Sequence, residues 1–146
     1  MHMFLSGKKF NAGLLLLRIG IGLVFIGHGY PKLMGGPERW EEVGGAMSYL
    51  GIDSYHIIFG FFAGAAELFG GVFLILGFYM LPTLILLICT MVVALISQIA
   101  TQSGYPAIAH PLSLGIIFVA LLFIGPGKYS IDYKLSKSSR PRRSRW

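Results

Sequence analysis

Four apolar runs, at about residues 12–33, 55–78, 81–102 and 110–124, take up most of the chain, and only Arg18 and Glu67 place a formal charge well inside them. At 1.5 Å per residue, the first three runs can each cross a hydrocarbon core of about 30 Å; the fourth reaches that length with its flanks. Backbone groups in lipid must be satisfied within their own segment, so the runs predict helices. The expected fold is all-α: a polytopic membrane four-helix bundle. Run one follows Lys8 and Lys9 as a signal peptide would. Its interior Arg18, its length and the lack of a small-residue cleavage site before Lys32 instead predict a retained span.

Between the first two runs, Trp40, Val43, Met47 and Leu50 recur at helical spacing, with Glu38, Glu41 and Glu42 elsewhere. This predicts a short amphipathic helix over 37–50, lying at the membrane interface in the first external loop. Pro82 and Pro111 suit the first turns of the third and fourth helices.

Composition agrees with the pattern. The 146 residues are 55 % hydrophobic and 12 % charged, against about 25 % charged in a soluble domain. The net charge of +6 is concentrated at one end. From Lys128 to Arg145 seven cations face the lone Asp132, whereas 32–54 holds Lys32 and Arg39 against four acids. This is positive-inside asymmetry and not a nucleic-acid footprint. It predicts both termini in the cytoplasm of a bacterial inner membrane. The organisation expected is one transmembrane domain over 1–132 and a basic, disordered tail over 133–146 near anionic headgroups. Tyr30, Trp40, Tyr49, Tyr55 and Tyr105 would form an outer aromatic belt, and Tyr79, Tyr129 and Tyr133 an inner one. The single cysteine, Cys89, reads as a small buried apolar residue.

The polar positions carry the candidate chemistry. Arg18, Gly22, Phe25 and Gly29 share one face of the first helix; Gly60, Gly64, Glu67 and Gly71 share one face of the second. Glycine faces let helices approach closely. A lone central charge costs about 2.5–3.5 kcal/mol on insertion scales. The expected solution is an Arg18–Glu67 contact, serving either as a latch on helix register or as part of a ligand site. His28, Lys32, Gln98 and His110 fall toward the outer half, as do Ser97 and Thr101, which share a face with Thr90. If these faces converge, they form an outward-leaning pocket with Glu67 at its floor. The histidine spacing is not diagnostic of a metal site, so no metal is expected. There is no P-loop, Gly-x-Ser-x-Gly, Cys-x-x-Cys or dinucleotide fingerprint.

The stretch Leu17-Arg18-Ile19-Gly20-Ile21-Gly22 through Gly27-His28-Gly29-Tyr30-Pro31-Lys32-Leu33 resembles the opening motif of the DoxX family. Ala66-Glu67-Leu68-Phe69-Gly70-Gly71 and the closing Gly125-Pro126-Gly127-Lys128-Tyr129-Ser130-Ile131-Asp132 are similar to its later motifs. The resemblance implies a small four-helix bacterial membrane protein, related to a subunit of an archaeal thiosulfate:quinone oxidoreductase. It places Arg18, His28, Lys32 and Glu67 on the family's recurring polar positions. His110 stands where many relatives carry a carboxylate.

Three functions compete. The first is a redox-associated protein binding a quinone or similar small lipid-soluble ligand near Glu67. It would have no intrinsic cofactor, and any enzymatic activity would be that of an oxidoreductase subunit working with a partner. The second is a non-catalytic accessory subunit or assembly factor of a larger membrane complex. The third, a transporter, would need a homo-oligomer.

Overall fold

A computed structural model describes residues 7–138. The long helices are α1 (Gly7–Met34), α3 (His56–Leu76), α4 (Met80–Ala100) and α5 (Tyr105–Ile124). All four are long and apolar enough to cross a membrane. The short helices are α2 (Gly36–Gly44) and α6 (Ile131–Ser138), and a 3-10 turn spans Gly45–Leu50. Both ends of the described chain lie at one end of the bundle, called here the terminal end. The loops 35–55 and 101–104 lie at the other, the loop end.

α1 begins at Gly7, five residues before the expected start, and three further boundaries differ from expectation. α5 begins at Tyr105, with Pro106 in its first turn, so Pro111 is interior to the helix. Residues 133–138, expected to be disordered, belong to α6; residues 139–146 of the expected tail lie outside the described residues. The amphipathic segment is not one helix. It changes from α to 3-10 at Gly44–Gly45, and Leu50 turns outward. Two glycines explain where it goes. A Cβ on Gly44 would strike the His56 carbonyl, and one on Gly60 would strike that of Trp40. α2 therefore packs backbone to backbone on the start of α3 instead of lying free on the interface. Trp40 supports this with an Nε1–H donated to the Leu33 carbonyl at 3.1 Å and an edge contact to Phe61.

α1 and α3 form the tightest long-helix pair, and glycine sets their register. Gly22 and Gly71 face each other: a Cβ on either would lie 2.6 Å from the other's carbonyl oxygen. Gly29 abuts the backbone of Leu68, and Gly64 that of Leu33. The helices run antiparallel, so position 18 falls opposite Gly77 and position 67 falls opposite the stretch 26–30. The core between the helices is Leu14, Ile21, Phe25, Leu74, Leu84, Leu87, Met91, Phe118 and Leu121. Most other large apolar side chains face outward, as a lipid solvent permits.

Candidate functional site

This register separates the two charges expected to meet. Arg18 and Glu67 stand about ten residues apart along the α1–α3 pair, roughly 15 Å. That is too far for a contact, and each charge has its own surroundings.

Arg18 is fully buried at the terminal end. Its Nη2 donates to the Tyr129 carbonyl at 2.8 Å, and its guanidinium lies against the α-carbon of Gly77, whose φ is +62°. Only a residue without a Cβ fits there in both space and conformation. The segment 125–132 folds back over this end as a plug. The Asn11 Oδ1 accepts the Lys128 N–H at 2.6 Å. Asp132 donates its own N–H to the Gly77 carbonyl, and its carboxylate accepts the N–H groups of Tyr79 and Met80 at 2.9 and 2.8 Å. It thus caps α4 from a distant part of the chain, where a negative charge is favoured. Asn11, Gly77 and Asp132 were not among the candidates read from the sequence. A glycine directly after an apolar run, as at Leu76-Gly77, is the one local signal of a helix end with positive φ.

Glu67 pairs with Lys32. The Lys32 Nζ lies 2.7 Å from both carboxylate oxygens, with side-chain exposures of 25 % for Lys32 and 4 % for Glu67. Lys32 reaches Glu67 by passing over Gly64, which offers no side chain to block it. The pair forms one wall of a groove with a volume of about 630 Å³. α3 contributes Phe59, Phe62, Ala63 and Ala66; α4 contributes Leu86, Thr90, Ser97 and Gln98; α2 and the 3-10 turn close the top. Deeper in, Gly70 lets Leu87 seat tightly between α3 and α4. Nearer the loop end, small residues on α3 leave the space open. Cys89, expected to be buried, is exposed and lines the groove. The Thr90 hydroxyl donates to the Leu87 carbonyl at 2.8 Å, which leaves its oxygen able to accept a hydrogen bond.

Of the candidate residues, the structure brings Lys32, Glu67 and Gln98 together around one groove. Arg18 lies in the plug. His28 and His110 lie on the seam between α1 and α5, their ring centres 5.5 Å apart. The glycines read as packing positions, Gly22, Gly29, Gly60, Gly64 and Gly71, all stand at close backbone approaches.

A groove walled by a carboxylate–ammonium pair in apolar surroundings can hold a lipophile by its polar head. The chain is 29 % identical, over 142 residues, to an uncharacterized membrane protein, Rv3486, of Mycobacterium tuberculosis (strain ATCC 25618 / H37Rv), covering 83 % of this chain and 80 % of that one. No solved structure matches. The DoxX family model matches residues 13–100, which take in Arg18, His28, Lys32, Glu67 and Gln98 and leave out His110 and the plug. The chain is a multi-pass membrane protein that belongs to the DoxX family.

Proposed function

We propose that the loop-end groove binds a small lipid-soluble molecule with a hydrogen-bonding head, and that a quinone is the class it fits best. The observation that carries this reading is the Lys32–Glu67 pair in the wall of a cavity of about 630 Å³ that is otherwise mainly apolar. Ligand pockets typically measure about 300–1,000 Å³ and orient their occupants by a few polar groups. Lys32 has three N–H bonds and spends two on Glu67, leaving one for a carbonyl oxygen. Thr90, Ser97 and Gln98 supply further polar contacts along the groove. A quinone brings two-electron chemistry; the protein's part is to bind the head, exclude water and hold a proton at the Glu67–Lys32 pair. Electrons would pass to or from a partner subunit, with the terminal end in the cytoplasm of a bacterial inner membrane.

A second reading, an accessory subunit or a self-associating one, draws on a different surface. Ile88, Met91, Leu95, Pro111 and Gly115 line a wholly apolar notch of about 280 Å³ along α4 and α5. Its shape suits a helix of another chain.

Native mass spectrometry of protein taken gently from its own membrane separates the two. A quinone-sized mass retained by the native chain, and lost in both Glu67→Gln and Lys32→Met, supports the first reading. A bare chain arriving stoichiometrically with a heavier partner overturns it in favour of the second.

A further inference from the structure

On the side of the bundle away from the groove, α1 and α5 meet through two ring pairs. Phe25 and Phe118 touch edge to face at 5.0 Å and are fully buried. One turn further toward the loop end on α1, His28 meets His110 with ring centres 5.5 Å apart and planes inclined at 59°. Both histidines are exposed. They are six residues from the end of α1 and five from the start of α5, about 8–9 Å from the loop end of each helix.

The geometry points to a two-histidine site for a late first-row transition-metal cation on this seam, with His28 and His110 as its protein ligands and water completing the coordination. Imidazole suits copper, zinc and nickel. A metal–nitrogen bond of about 2.0–2.1 Å places the ion about 3.2 Å from each ring centre. With a nitrogen of each ring turned to a shared point, two centres 5.5 Å apart subtend about 120° at the ion, close to the trigonal value. The buried Phe25–Phe118 pair lies deeper along the same seam, and the exposure of both imidazoles leaves the outer side of the site open. Lys32, one turn from His28, points its ammonium to Glu67, so its charge is matched elsewhere. Among the described residues, no third histidine, cysteine, aspartate or glutamate joins the two. The site is therefore an exchangeable one and not a closed structural cage. A bound ion would tie α1 to α5, the first and last membrane-crossing helices.

The test uses the full, tag-free chain in lipid nanodiscs, with His2→Ala and His56→Ala so that His28 and His110 are the remaining imidazoles. Pulsed electron paramagnetic resonance with one equivalent of Cu²⁺ should show two coordinated imidazoles. His28→Ala and His110→Ala should each show one, with binding weakened at least about tenfold. Zn²⁺ should raise Tm in the parent and not in either variant, because an ion bound to the folded state alone stabilises it. His28→Gln and His110→Gln repeat the test with side chains nearer in size, and circular dichroism checks that every variant is folded. A parent signal from one imidazole or none, or a Zn²⁺ shift that survives either substitution, overturns the site.

Discussion

The two ends of the bundle treat a buried charge in opposite ways. At the terminal end, Arg18 is fully buried and held by backbone: the Tyr129 carbonyl, the bare α-carbon of Gly77 and the folded-back segment closed by Asp132. At the loop end, Glu67 meets the side chain of Lys32, which is still a quarter exposed, beside open volume. The same helix pair supports both because glycine packing fixes α1 against α3 without involving either charge. The two charges therefore differ in access: Arg18 is closed off by its own chain, with its Nε and Nη1 unpartnered, and Glu67 stands at the edge of a cavity.

Four substitutions sharpen this contrast, and thermal unfolding in detergent reads each of them. Gly77→Ala should cost most, about 3 kcal/mol or more, because its Cβ meets both Arg18 and Ser130 in a left-handed conformation unfavourable to side chains. Arg18→Ala follows, at about 2–4 kcal/mol, from the cavity and the Tyr129 carbonyl left without its donor. A loss within experimental error would mean that the plug is not seated on Arg18.

Lys32→Met should cost about 2 kcal/mol, since it strands the carboxylate of a side chain that is 4 % exposed. Glu67→Gln should cost least, about 1 kcal/mol, because Lys32 can turn to water or headgroups and the amide still accepts a hydrogen bond. The same two variants should abolish retention of the lipid-soluble molecule proposed for the groove, whereas Asp132→Asn at the plug should leave retention intact. Were Glu67→Gln to destabilise as much as Arg18→Ala, the loop-end pair would be a structural latch like its counterpart.

Much of this was legible in the chain. Long apolar runs dictate helices in lipid, charge asymmetry distinguishes the ends, and glycines at helical spacing mark where helices touch. The identities of Arg18, Lys32 and Glu67 as unusual positions also follow from the sequence, because each stands out against apolar neighbours. Their partners do not. Gly22 and Gly29 on α1, with Gly60, Gly64 and Gly71 on α3, fit several registers a turn or two apart, and each would place Arg18 opposite a different residue. The expected Arg18–Glu67 contact needs a register that brings the two within reach; Gly22 against Gly71 selects another.

The plug was hidden for a related reason. Asp132 caps a helix that begins 52 residues earlier, and no local pattern around Asp132 announces a partner so distant. The His28–His110 encounter is likewise a product of α1 and α5 closing the ring of helices. What the sequence determined by itself was local: which stretches are helical, which faces are smooth, and which residues are out of place in hydrocarbon. Only the tertiary structure decided who meets whom, because antiparallel register depends on close packing between segments far apart in the chain, and a slip of two or three turns is enough to exchange every polar partner.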